Sequence, residues 1–497
     1  MNARGAVWIA AAAAALLRYP GAFWPTRADE AGYLLVARSW DPQPDSMYGA
    51  YWVDRPPLLI VVSKASDALG GPTFLRVVAA VGVALLVLAA AGCARVVTRD
   101  DKVAAWTAVI TAATVSSAMI DTVAAKGEIL AIPLIVTSIW LALLALDREG
   151  GRAVWLAFAA GLSATLALGM KQNMASGLLF GGVLLVAGRI AGRIDNRELA
   201  ARGAAALAGA AVPVVGLVAW ARATGVHLDT VWYALYGFRS DALEVISTQD
   251  ASAPMERGLF LALILIGTGL VFVSGLFVLR LREVWHLDPV VTTAAVSLLL
   301  FDGLSLALGG SFWRPYLFAL IPGTIVFALL LLGVEGRTGW LTRRIAVFAA
   351  ASCLVASLGW VVKTFGGLDN PDQAETGAAI AEVARPGDTI VSFGGRADLV
   401  LTSGMESPYP HLWSLPMRTM DPEYDDLISL LSGPDRPTWV VEQAPFDVWK
   451  KDAGARLATL VGRLYDQHGV GVDCEKRVFL RRGIDRPPLD NDCSDGD

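Results

Sequence analysis

Two adjacent carboxylates, Asp29 and Glu30, stand where the chain leaves its first apolar run, inside the segment TRADEAGYLLVARSW. Further along, Asp54 and Arg55 open a rigid Pro56-Pro57 turn. Asp121, Lys126 and Glu128 fall in MIDTVAAKGEIL, Lys171 in GMKQN, and Arg314 with Tyr316 in GGSFWRPY. Each has an ordinary reading. Acidic residues favour the first turn of a helix, a lysine at a membrane surface snorkels, and helix ends commonly carry charge. Together they offer carboxylates (Asp29, Glu30, Glu128) and cations (Arg55, Lys171, Arg314) to one site. That combination suits a lipid-phosphate substrate. Cations neutralise a departing phosphate, and a carboxylate takes the proton from an attacking hydroxyl. Asp302 lies within an apolar run, where a carboxylate is costly and is either functional or paired with a basic neighbour.

Bringing these groups to one site requires a membrane. Of 497 residues, 55% are hydrophobic and only 18% are charged, whereas a soluble domain carries about 25% charged residues. The 49 glycines suit closely packed membrane helices. A net charge of −5 argues against a nucleic-acid partner. Crossing the hydrocarbon core takes about 20 apolar residues. Eleven runs qualify, near 6–25, 73–96, 103–122, 128–146, 153–170, 172–188, 203–221, 258–279, 289–308, 315–333 and 345–362. Arg18 interrupts the first and is expected to snorkel. That run also fits a signal peptide, but an uncleaved anchor is preferred because chemistry-bearing residues follow at once.

Orientation follows from Lys and Arg placement. With the N-terminus inside, the inner segments hold fifteen basic residues, against one in each of three short outer loops, Lys126, Lys171 and Arg314. The candidate residues then lie outside, around a long first outer loop at 26–72. Leu34, Leu35, Ala37 and Trp40 predict a helix lying flat in the interface, and Pro56-Pro57 leads into a second one. The membrane part, 1–362, precedes an outer domain at 363–497. There, strand-like runs at Thr389–Phe393, Thr438–Val441 and Arg477–Arg481 alternate with helical patterns at Glu423–Leu431 and Asp447–Gln467. This reads as a small α/β domain. Gly394-Gly395 follows a strand without completing a phosphate-loop motif. The tail from Arg486 is polar and acidic, and a disulfide between Cys474 and Cys493 is permitted if it lies outside the cytoplasm.

The order of these elements resembles the GT-C superfamily of polytopic glycosyltransferases, in the branch of protein O-mannosyltransferases and lipid A aminoarabinose transferases. The carriers are the Asp29-Glu30 pair in a large first outer loop and Arg55-Pro56-Pro57-Leu58 before the second span. With them go Glu128 in the next outer loop and GLSATLALGMKQ ending in Lys171. A late element departs from the family pattern: RPYLFALIPG has Pro315 where a histidine is usual and keeps Tyr316. The resemblance implies a GT-C membrane protein of about eleven helices with interfacial helices in its first loop and a small C-terminal α/β extracytoplasmic domain. It further implies a polyprenyl-phosphate sugar donor, an extracytoplasmic glycan, lipid or protein acceptor, and inverting transfer at the outer face of a bacterial cytoplasmic membrane. Asp29 would be the catalytic base and Glu30 its acidic neighbour. Arg55 and Lys171 would hold the donor phosphate, with Arg314 at the same surface, and Glu128 with Tyr316 would position the acceptor or a cation. A divalent cation, if one binds, would sit at Asp29 and Glu128.

Two other classes share these apolar spans. A lipid-linked glycan transporter or flippase would also use cations for phosphate, but such proteins place their sites near the midplane, and here the charges gather at outer ends. A non-catalytic scaffold would leave Asp29, Glu30 and Arg55 freely replaceable.

Overall fold

The computed structural model describes residues 2–121, 123–248, 252–366 and 371–489. The tail residue Cys493 lies outside the described residues, and with it the Cys474–Cys493 pairing.

From the N-terminus run α1 (Ala3–Leu16), α2 (Ala28–Arg38), α3 (Pro57–Leu69), α4 (Gly71–Thr98), α5 (Asp101–Val115), α6 (Gly127–Asp147), α7 (Gly150–Met170), α8 (Ser176–Ile190) and α9 (Asn196–Thr224). Among the described residues, eight helical stretches are long and apolar enough to cross a membrane. These are Ala3–Phe23, α4, α6, α7, α9, Pro289–Leu308, Arg314–Gly333 and Arg337–Phe365. The pair Pro254–Gly267 and Leu270–Leu279 adds a ninth if read as one span, bent by 73°. The runs expected at 103–122 and 172–188 form α5 and α8, each of 15 residues, short of the usual span of about 20. Both still pack into the bundle, α5 against α1, α4 and the helix Arg337–Phe365, and α8 against Pro289–Leu308. Apolar residues surround most of α6, whose internal Pro133 is buried like its neighbours. Neighbouring helices make such a proline tolerable in a membrane.

Two expectations about the first outer loop change. Arg18 does not snorkel. Its side chain is buried and donates to the carbonyls of Asp121, at 3.1 Å, and Ala124, at 3.4 Å. It thereby ties the C-terminal end of the first span to the loop before α6. The helix expected to lie flat in the interface, α2, is covered by protein. Every residue from Glu30 to Ala37 is buried, because α3 and α4 cover one side and the helix Ala397–Ser403 of the outer domain covers another. A periodicity read from one segment does not register a cover supplied from 360 residues further on.

The C-terminal part of the chain, expected from the sequence to be an outer domain, builds a four-stranded sheet of β1 (Ile390–Phe393), β2 (Trp439–Glu442), β3 (Tyr465–Val470) and β4 (Arg477–Arg481), in the order β1-β2-β4-β3. β1 and β2 are parallel, with Ile390 opposite Trp439, whereas β4 runs antiparallel to both β2 and β3. Three of these strands fall where the sequence predicts them. β3 occupies the end of the expected Asp447–Gln467 helix, which stops at Leu464. Val391, Phe393, Val440, Leu457, Val461 and Phe479 pack into this domain's core.

Candidate active site at the ends of the spans

Asp29 and Glu30 occupy the first turn of α2, where the helix dipole favours negative charge. Neighbours on a helix point about 100° apart, and the two carboxylates accordingly meet different partners. Glu30 is 0% exposed. It accepts from Arg76 Nε at 2.9 Å and Nη2 at 2.7 Å, and from the backbone amides of Ala125 and Arg27 at 2.8 and 3.2 Å. Arg76 stands near the outer end of α4 and also donates to the carbonyls of Gly21, Trp24 and Pro25. This pair fastens the start of α2 to the first two spans and the second outer loop.

Asp29 faces the site. Its Oδ2 receives Lys126 Nζ at 2.8 Å and its Oδ1 receives the indole Nε1 of Trp413 at 2.9 Å. Burial alone would raise the Asp29 carboxyl. The Lys126 ammonium, the Arg55 guanidinium and the Trp413 indole outweigh it and hold the group well below the usual carboxylate range. In turn, burial works against the Lys126 charge, but Asp29, Asp121 and Glu128 keep it firmly protonated.

One turn along α2, the Tyr33 hydroxyl accepts from Arg55 Nε at 3.3 Å, as side chains four positions apart share a helix face. Burial pushes the Tyr33 hydroxyl up. Arg55 also donates to Asp54 Oδ1, while Asp54 Oδ2 takes Arg239 from the helix Phe238–Ser247. Gln172 Nε2 donates to the Asp54 carbonyl at 2.9 Å, joining this turn to the end of α7. There Lys171 pairs with Glu128 and lies 4.9 Å from the centre of the Tyr316 ring. Burial first, then the Arg55 and Arg239 charges, pull Lys171 below the ordinary lysine value, and Glu128 opposes them. Gly127 permits the pairing: a Cβ there would lie 2.6 Å from the Met170 carbonyl oxygen and 3.2 Å from Lys171 Cβ.

The cluster thus unites Asp29, Arg55, Glu128, Lys171 and Tyr316, with Glu30 behind it as a brace. Arg314 is exposed, and among the described residues none of the cluster's hydrogen bonds or ion pairs involves it. Arg239 supplies the further guanidinium instead. Four cations (Arg55, Lys126, Lys171, Arg239) are interleaved with the carboxylates Asp29, Asp54 and Glu128, and Asp121 also acts on Lys126. Among the described residues, no group of three or more His, Cys, Asp or Glu side chains stands ready to hold a metal ion. Asp29 and Glu128 are each engaged by a lysine ammonium. Among the described residues Asp302 pairs with no basic neighbour; Ser176 donates to its Oδ1 at 2.6 Å, and its buried Oδ2 has no hydrogen-bond partner among them.

No family model and no curated protein matches the sequence. Among solved structures, the chain is similar to ArnT from Cupriavidus metallidurans bound to undecaprenyl phosphate. The TM-score is 0.64 at 15% identity, covering 96% of this chain and 98% of that one. Against the same ArnT in the apo state the TM-score is 0.63 at 14% identity, with the same coverage. The fold is that of ArnT. Coverage of 96% means that the ArnT-like fold takes in the outer domain as well as the spans. The resemblance first read from the outer loops to lipid A aminoarabinose transferases therefore extends, as a fold, along nearly the whole chain.

Proposed function

We propose that the protein is a membrane glycosyltransferase that moves one sugar from a polyprenyl monophosphate to an acceptor at the outer face of the cytoplasmic membrane, with inversion. The observation that carries this reading is the position of Asp29, a carboxylate held ionised by Lys126, Arg55 and Trp413 beside the ends of spans. An ArnT structure of the same fold was solved with undecaprenyl phosphate bound, which supports a lipid-phosphate donor.

In this mechanism the donor phosphate sits against Arg55, Lys171 and Arg239. Bidentate guanidinium contacts and a point-charge ammonium suit its oxygens. The acceptor hydroxyl attacks the anomeric carbon from the face opposite the phosphate. Its proton passes to Asp29, the new C–O bond forms, and the bond to the phosphate oxygen breaks. The polyprenyl phosphate leaves with its charge compensated by the cations. A single displacement inverts the anomeric centre. Asp29 is a weak base while Lys126 grips it. A donor phosphate seated on Arg55 offsets one of the positive charges that act on Asp29 and so raises its basicity when the donor is present, which links deprotonation to a loaded site. Glu30 positions α2, and Glu128 holds Lys171 in place.

The test uses the full chain in lipid nanodiscs beside Asp29→Asn. Both receive a panel of polyprenyl-phosphate sugars and a membrane extract containing acceptors, and labelled sugar is followed by mass spectrometry. Transfer from one donor, lost in the variant with undecaprenyl phosphate binding retained, is the expected result. An Asn variant turning over at the wild-type rate would remove Asp29 as the base. Tight binding of a lipid-linked glycan by both proteins, with no transfer from any donor, would favour a transporter.

A further inference from the structure

Gly394-Gly395, the turn that completes no phosphate loop, does different work. We infer that Trp413 of the outer domain is a positioning residue for Asp29, so that the membrane part and the outer domain complete the reactive carboxylate together. The inference rests on the role proposed above for Asp29.

Trp413 is set between two glycines, its backbone against Gly395 and its ring against Gly32. Gly395 has φ +73, the left-handed region that glycine adopts without strain, and a Cβ there would come within 2.6 Å of the Trp413 and Ser414 backbone. The chain after β1 therefore runs hard against Trp413, and an isolated bridge pairs Arg396 with it. On the far side, a Cβ at Gly32 would lie 2.1 Å from Trp413 Cζ2, so the ring fills the space that glycine leaves on α2. Nearby, Trp52 N donates to the Pro410 carbonyl and Ser407 N to the Tyr51 hydroxyl, each at 3.0 Å. The 407–413 strap is thereby laced along the first outer loop.

The contact is directional. Indole Nε1–H is a donor only, and it takes Asp29 Oδ1 while Lys126 takes Oδ2. One grip comes from the second outer loop and the other from a residue 384 positions away. Together they fix the rotamer of the base, leaving the remaining lone pairs for an acceptor proton. A phenylalanine would fill the same space but leave Oδ1 unbonded, which separates positioning from packing.

The experiment uses the full chain in nanodiscs with the donor found in the transfer screen. Trp413→Phe is expected to lower kcat about tenfold, the loss of one hydrogen bond to a charged group. The KM for donor and the melting temperature should stay near wild type, and Trp413→His, which restores an N–H, should recover part of the rate. Gly32→Ala, which displaces the ring from the other side, should reproduce the kcat loss. A second arm needs no turnover. In protein labelled with 5-fluorotryptophan, the fluorine resonance that Trp413→Phe deletes should move in Asp29→Asn. Wild-type kcat in Trp413→Phe, or a loss carried by KM or by melting, would overturn the inference. So would an unmoved resonance. Wild-type protein that transfers nothing while the resonance responds would count against the transferase reading and for the Trp413–Asp29 contact.

Discussion

Asp29 and Glu30 share a dipeptide and a charge, yet their partners give them separate tasks. Glu30 is fully buried and met by Arg76 at two nitrogens. Glu30→Gln would leave the buried guanidinium uncompensated, a change that costs about 3–5 kcal/mol. We expect that variant to melt far below wild type. Asp29→Asn keeps one acceptor oxygen, enough for Lys126 or for Trp413 but not for both, at a position that is not fully buried, and should melt closer to wild type than Glu30→Gln while transferring no sugar. Equal melting of the two variants would show that the division of labour is wrong. The pair itself was legible from residue type and position. Its division was not, because Arg76 is 46 positions away at the end of an apolar run, and nothing local marks which carboxylate it meets. Arg239 escaped notice for the same reason. It sits in no motif, whereas Arg314 attracted attention through a pattern whose side chain turns out exposed.

At the scale of elements, hydropathy located the long apolar helices whose ends bring in Glu128 and Lys171, because burial in lipid demands long apolar runs, but not the helix Phe238–Ser247 that carries Arg239. It did not distinguish full spans from the 15-residue α5 and α8, since flanking loops extend the apolar count. The exposed strand β3 was hidden as well: Tyr465–Val470 has only its first residue buried, so it lacks the alternation that identifies a half-buried strand. Where two helices meet, a single residue sets the site. The start of α6 passes the end of α7 at Gly127, and this brings Glu128 to Lys171. Gly127→Ala must separate the helices, since a Cβ would stand 2.6 Å from the Met170 carbonyl oxygen. Displacements of about 1 Å at a positioned group carry large costs. Undecaprenyl phosphate binding, measured by titration in nanodiscs, should weaken at least several-fold. Unchanged affinity in a variant that still folds would mean that Glu128–Lys171 does not form part of the phosphate site.

Taken whole, the molecule closes its outer domain over α2, and the strap that does so carries a titratable group of its own. His411 is buried, its Nδ1 has no hydrogen-bond partner among the described residues, and its ring stands edge-on to Tyr409 at 5.1 Å. Burial lowers the His411 imidazole to about 4, with Asp421 opposing, whereas an unfolded histidine titrates near about 6.5. Between those values the unfolded chain binds the proton more readily than the folded one, so stability rises with pH across the window. The contribution is complete above the unfolded value and is lost as pH falls through the window toward 4. Its full extent is about 3 kcal/mol. Carboxylates titrate toward the acid end of the same range, so the informative quantity is the difference between two proteins. Melting of the full chain in nanodiscs, followed from pH 8 to pH 4, should fall more steeply for wild type than for His411→Asn, which cannot take up the proton. Because Pro410 and Trp413 flank His411 in the strap, acid should loosen the hold on Asp29 before it unfolds the spans. The fluorine resonance of Trp413 should therefore broaden or shift within the same pH window, and in His411→Asn it should not. Parallel melting curves for the two proteins would show that this histidine does not govern the acid response.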